Sequence, residues 1–242
     1  ISKNYWPISS VNINLTTPTI NYHGVEIRNA IIEASYKNNI ITINKFIGKI
    51  IEGNIDLIGK IENNTKQSFN INGNFKNISL NTLLQQTQIA KWDRVNIKLS
   101  STNLNLSGKI NDKNPLSILI GTIPINGIFY LTTTEEEKFG ATFLSLLVEK
   151  IPNISSISKS INFIVINYSN TPTTLSGVLQ IKEGLIFSNK ILIQNKSAKA
   201  TLQGSYNFIK NEIDGTIHFF EKNDIFIKAK LKGKIDNPEI LV

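Results

Sequence analysis

The chain has 242 residues, 40% of them hydrophobic, with no cysteine, no methionine and a net charge of +8. The lack of cysteine removes disulfides, thiolate nucleophiles and cysteine-held metals together, and no stretch approaches the roughly 18 consecutive apolar residues of a membrane-spanning helix. With no initiating methionine it reads as one elongated β-rich segment, 1–242, of a longer protein. Its parts are expected to be a β-repeat region over 1–130, a helix within 131–152 and a C-terminal β-meander over 153–242.

In chain order, Val11, Ile13 and Leu15 alternate with polar residues between Pro7 and Pro18, which reads as a strand with irregular flanks. Asn38-Asn39 separates apolar runs at 31–36 and 40–43, and because asparagine tolerates positive φ this predicts a hairpin. Gly53-Asn54 and Asn63-Asn64 mark two further turns. Leu80, Leu83, Leu84 and Ile89 follow helical spacing and predict a short helix over about 80–92, with Ser79 or Asn81 as N-cap. A second helix is predicted over 135–150. There Glu135, Glu136 and Glu137 follow Thr134 at the dipole-positive start, and Phe139, Phe143, Leu144, Leu147 and Val148 form one stripe that Pro152 ends. Strands then resume at 161–168, 175–181, 185–187, 191–193, 200–206, 213–219 and 225–235, each bounded by turn residues.

One seven-residue pattern, apolar-x-apolar-x-Gly-x-apolar, recurs throughout. It reads Ile55-Asp56-Leu57-Ile58-Gly59-Lys60-Ile61, Phe69-Asn70-Ile71-Asn72-Gly73-Asn74-Phe75 and Leu104-Asn105-Leu106-Ser107-Gly108-Lys109-Ile110, and returns around Gly127 (with Ile125) and Gly233 (with Leu231). Period-two alternation belongs to strands with one dry and one wet face. A glycine repeatedly placed on the dry face implies a bend or a close backbone approach. The fold class expected is therefore mainly β: an antiparallel meander in a strongly curved, taco-like or sandwich-like sheet, with two short helices. Strand–helix alternation of the parallel nucleotide-binding kind is missing. The dry faces either stay open as a groove or close on each other as a sandwich core.

The charge pattern argues against nucleic acid. Lys228, Lys230, Lys232 and Lys234 alternate with Ile227, Ala229, Leu231 and Gly233, which is the pattern of a solvated or edge-protecting strand face. Arginine, the main reader of bases, occurs only at Arg28 and Arg94. No nucleophile-elbow, phosphate-loop or dinucleotide motif is present. His23 and His218 lie far apart without metal-ligand spacing. Glu135–Glu137 are explained by helix-start stabilisation, and Asp56, Asp214 and Asp236 fall on wet faces or turns. The chain is thus expected to be non-catalytic, with no metal and no cofactor.

The order of segments resembles the AsmA-like family over most of the chain. The similarity rests on 161–168, the run Leu175-Ser176-Gly177-Val178-Leu179-Gln180-Ile181-Lys182-Glu183-Gly184-Leu185-Ile186-Phe187, then 198–207, 213–220 and the closing Leu231-Lys232-Gly233-Lys234-Ile235-Asp236-Asn237-Pro238. Farther upstream, Ile78 to Leu84, the 104–110 strand and 115–122 are similar to the family's helix–sheet segment, although 116–123 lacks a clear small residue before the leucine. The resemblance implies a periplasmic segment of a protein anchored in the inner membrane of a Gram-negative bacterium, the anchor lying outside this chain. It implies phospholipid transport and outer-membrane homeostasis, with acyl chains as the partner. The apolar lining would then be Ile55, Leu57, Gly59, Phe69, Ile71, Gly73, Leu104, Leu106, Gly108, Ile125, Gly127, Leu231 and Gly233. The alternative is a structural or adhesion-type β module with closed cores, recruiting protein partners through strand edges.

Overall fold

The structure, a computed structural model, describes residues 10–22, 24–63, 67–90, 94–110, 118–137, 154–221, 223–237 and 239–241. Thirteen strands form one antiparallel sheet in which spatial order is chain order. They are β1 (Ser10–Tyr22), β2 (Val25–Lys37), β3 (Ile40–Ile50), β4 (Gly53–Glu62), β5 (Ser68–Ser79), β6 (Val95–Lys109) and β7 (Ile120–Leu131), followed by β8 (Thr173–Lys182), β9 (Leu185–Gln194), β10 (Lys199–Asn207), β11 (Glu212–Glu221), β12 (Asp224–Lys234) and β13 (Glu239–Leu241). Helix α1 (Leu80–Gln86) joins β5 to β6, and α2 (Ile154–Tyr168) precedes β8. Among the described residues β1 and β13 each pair with one strand only, so the meander is not closed.

Local chemistry accounts for the punctuation. Asn38 and Asn39 adopt φ of 53° and 61°, the two positive values a tight hairpin turn needs, and join β2 to β3 as expected. The next turn lies two residues earlier than Gly53-Asn54. Ile50 pairs with Gly53, and Ile51 takes the left-handed conformation (φ 57°). Gly53 serves close packing instead, since a Cβ there would sit 2.8 Å from Ile78 Cδ1.

Helix α1 is shorter than the predicted 80–92. Ser79 caps it by accepting from the Thr82 N–H at 3.4 Å, while Asn81 accepts from the Ile97 N–H at 2.9 Å and ties the helix to β6. Its end comes at Thr87, whose hydroxyl donates back to the Leu83 carbonyl, followed by Gln88 at φ 57°. Of the helix predicted over 135–150, residues 135–137 are helical and the rest lies outside the described residues. The start is a capping box: Thr134 Oγ1 accepts from the Glu137 N–H and a Glu137 carboxylate oxygen accepts from the Thr134 N–H, at 3.2 and 2.9 Å.

Two strand assignments are corrected. Residues 161–168 are helical, within α2, in spite of their many β-branched side chains. Burial overrides that modest propensity: Phe163, Ile164 and Tyr168 pack on a floor of Ala198, Ala200, Phe219, Ile227 and Ala229. The alanines leave room for a helix to lie close to the sheet. The pairing of β7 directly with β8 also leaves no slot for a strand between them. Further on, 185–187 and 191–193 belong to one strand, β9. A bulge around Asn189 and Lys190 interrupts its register with both neighbours, and Ser188 Oγ donates to the Val178 carbonyl at 2.8 Å to hold the bulged edge.

The sheet curls back on itself. Leu84 and Ala90, near the β5–β6 junction, cluster with Ile235 beyond β12 and with Tyr206 of β10. Laid flat, β5 and β12 would be separated by seven strand spacings, about 34 Å. The curl puts α1 across the concave side.

Candidate functional site

Register places one apolar face along the whole concave side. Through β4, β5 and β6 the rows are Ile61–Phe69–Gly108, Gly59–Ile71–Leu106 and Leu57–Gly73–Leu104, with Ile55 beside Phe75. The same face continues as Leu99–Gly127–Leu175 and Ile125–Gly177–Ile191, and closes with Leu231–Gly215–Gly204 and Gly233–Ile213–Tyr206. All thirteen residues named from sequence lie on it. Away from the hairpin tips, the paired rows from β3 to β12 put no Asp, Glu, Lys, Arg or His on this face.

Pairing also reveals a rule that the heptad alone did not. Nearly every sheet glycine stands across from a large aliphatic or aromatic side chain: Gly59 from Ile71, Gly73 from Leu57 and Leu104, Gly108 from Phe69, Gly121 from Leu106 and Ile181, Gly127 from Leu99 and Leu175. The bulky neighbour leans over the space a Cβ would fill, as Leu57 Cδ2 does 2.9 Å from that position on Gly73. Gly48, Gly121 and Gly177 obey the same rule outside the heptads, where only the partner strand reveals it. Gly204, opposite Gly215 and Ser188, departs from it. Gly233 stands across from Ile213, but crowding does not explain it. Nothing lies within 4 Å of its Cβ position, and its φ of +97° is the reason for glycine there.

The face is not equally covered. Ile125, Leu175 and Ile191 are buried at 3, 7 and 7% exposure beneath a dense apolar cluster, and α2 seals the neighbouring patch. Over β1 to β5 helix α1 meets it at one end, its Gln86 carbonyl oxygen 2.9 Å from the Cβ position of Gly24 in the β1–β2 turn. Ile32, Ile43, Phe46, Ile55 and Leu57 are only half-buried, and Ile13 and Leu15 on edge strand β1 are 46 and 47% exposed. Of the residues named from sequence, Leu104 and Ile125 are therefore core, and those of β4 and β5 are only partly buried. A cavity of about 130 Å³ among Leu179, Ile191, Leu202, Tyr206 and Ile213 adds a small apolar recess. It is below the size of typical ligand pockets, so any long apolar ligand depends on the open strands.

The opposite face is polar. Asn72 Nδ2 donates to Asn70 Oδ1 and Asn105 Nδ2 to Asn72 Oδ1, a ladder across β5 and β6. Lys45 pairs with Glu33 at 3.3 Å and Lys98 with Glu52 at 2.7 Å, surface ion pairs that contribute little. Lys228, Lys232 and Lys234 are exposed beside the three-residue edge strand β13. Around Asp214, with Phe187, Asn189, Gln203 and Thr216, this face forms an open depression of about 510 Å³.

The Glu136 carboxyl is held below the usual carboxylate range by its own backbone N–H and the Thr134 hydroxyl, a helix-start effect. His218 lies on the polar face opposite Lys228, and His23 lies outside the described residues. Among the described residues no three His, Asp or Glu side chains gather as a metal site, and no helix is long and apolar enough to cross a membrane. No protein-family model, curated protein or solved structure matches this chain.

Proposed function

We propose that this chain is a non-catalytic lipid-handling segment that holds phospholipid acyl chains along its concave face and passes them between membranes. The observation that carries the reading is the apolar face, free of charge from β3 to β12 away from the hairpin tips and only partly covered over β1 to β5. Each methylene that leaves water for such a surface contributes about 0.8 kcal/mol, so an acyl chain lying along several strands binds without a deep pocket, its headgroup at the wet rim. The resemblance to AsmA-like proteins supports the same reading. It adds the expected setting: the periplasm of a Gram-negative bacterium, an inner-membrane anchor outside this segment, and a role in outer-membrane homeostasis.

The test is phospholipid binding by the delipidated protein, followed by mass spectrometry of re-added lipid. Wild type should retain phospholipid. Leu57→Glu, and separately Ile43→Glu, should reduce binding by about tenfold or more, because each buries a charge against the acyl chain. Circular dichroism confirms that each variant remains folded. A wild-type chain that retains no phospholipid ends this reading.

A second reading has its own observation. Edge strand β1 is thirteen residues long and carries no charged side chain, whereas edges are ordinarily guarded by charge or brevity, as the three-residue β13 is. Strand addition by a protein partner would use that edge. It predicts concentration-dependent association in sedimentation velocity that Ile13→Lys/Leu15→Lys abolishes; a chain that stays monomeric at all concentrations rules against it.

A further inference from the structure

We propose that the end of the sheet built from α2 and the β11–β12 hairpin docks onto the surface of an anionic lipid bilayer. Phe226 of the hairpin lies against Phe163 of α2, ring centroids 5.1 Å apart, which makes helix and hairpin tip a single surface. That surface is apolar on the outside. Ile166 is 62% exposed, Ile225 56% and Phe226 46%, although Phe163, Ile164 and Tyr168 of the same helix serve the core. A lone exposed apolar side chain needs no explanation, but several gathered on one patch mark an interaction site.

The surroundings are basic. Lysines border the sheet end from its polar face: Lys199 Nζ stands 5.5 Å from the centroid of Phe220, and Lys228 is exposed two residues beyond Phe226. Lys196 lies in the β9–β10 turn, which Asn195 Nδ2 ties to the end of α2 by donating to the Asn167 carbonyl at 2.9 Å. Among the described residues the acids there are Glu221 and Asp224, facing each other where the hairpin closes. Apolar and aromatic tips among lysines complement a bilayer: the tips enter the acyl boundary while the lysines meet anionic headgroups. The shape favours lipid over protein, since the apolar side chains project from a helix and a hairpin tip. A fluid acyl layer accepts such knobs, whereas a protein partner must supply matching recesses. This inference stands on residues outside the trough.

Co-sedimentation with vesicles tests it, comparing phosphatidylcholine alone with phosphatidylcholine mixed with phosphatidylglycerol. The chain should sediment with the mixed vesicles, and less so as salt rises. Ile225→Ser/Phe226→Ser should lower the bound fraction by about tenfold, given the apolar area withdrawn from the acyl boundary. Ile166→Ser, on the other element, should lower it in the same direction, and Lys199→Glu/Lys228→Glu should erase the preference for phosphatidylglycerol. Leu57→Glu, which blocks the trough, should sediment like wild type. The proposal is overturned if wild type binds neither vesicle, if folded serine variants bind as wild type does, or if Leu57→Glu alone abolishes sedimentation.

Discussion

Gly73→Ala is expected to destabilise the protein by about 3 kcal/mol, read as a lower urea midpoint at unchanged slope. Two costs coincide at this position. The φ of Gly73 is +152°, which side-chain-bearing residues rarely adopt, and a Cβ there would sit 2.8 Å from Leu57 Cα and closer still to the Asp56 carbonyl oxygen. Both obstacles are backbone of the neighbouring strand, which cannot swing aside as a side-chain tip can. Gly73 also borders a register shift between β5 and β6, so relief would propagate into both pairings. Gly215→Ala is the matched comparison. Its nearest neighbours to a new Cβ are the Gln203 carbonyl oxygen at 3.1 Å and Gly204 Cα at 3.6 Å, so the expected loss is about 1 kcal/mol or less. Equal losses at the two sites would refute the idea that cross-strand crowding dictates glycine at Gly73.

Tyr168 carries the second large effect. It is 2% exposed, packs edge-to-face on Phe219 with centroids 5.7 Å apart, and anchors α2 to the sheet. Tyr168→Ala should cost about 4 kcal/mol through lost burial and the cavity left behind. Tyr168→Phe should act in the opposite direction, stabilising by about 1 kcal/mol, because the buried hydroxyl has no hydrogen-bond partner among the described residues. Burial pushes the Tyr168 phenol up to about 12. Below the unfolded value of about 10 both states keep the proton and the stability is complete. From there towards 12 the unfolded chain releases the proton while the folded one holds it, so stability falls as pH rises through that window. Melting temperatures across it should drop more steeply for wild type than for Tyr168→Phe, and parallel curves would place the phenol elsewhere.

Much of the architecture was legible because it is local. Alternation along 55–61 or 104–110 follows from a residue's geometry within its own strand, and the Asn38-Asn39 turn from the φ its residues tolerate. Short turns between most successive strands leave little choice but pairing with the neighbour in sequence, which accounts for most of the chain-order sheet. The failures are where distant contacts win. Residues 161–168 have strand-like composition and fold as a helix because the alanines of β10 and β12, far along the chain, provide its seat. The β9 bulge depends on the fit to β8 and β10, which β9 by itself does not encode visibly.

The candidate site divides in the same way. By itself the amino-acid sequence determined which residues face which side, since period-two geometry assigns Leu57, Gly59, Ile71 and Gly73 to one face whatever surrounds them. Tertiary structure alone decided how much of that face is covered. Helix α2 and the Leu84–Ile235 contact seal its C-terminal part, while the strands from β1 to β5 leave theirs only partly covered. Alternation is a property of the backbone, one residue to the next; covering is a gain in buried area between segments far apart in the chain, and only the folded chain brings them together.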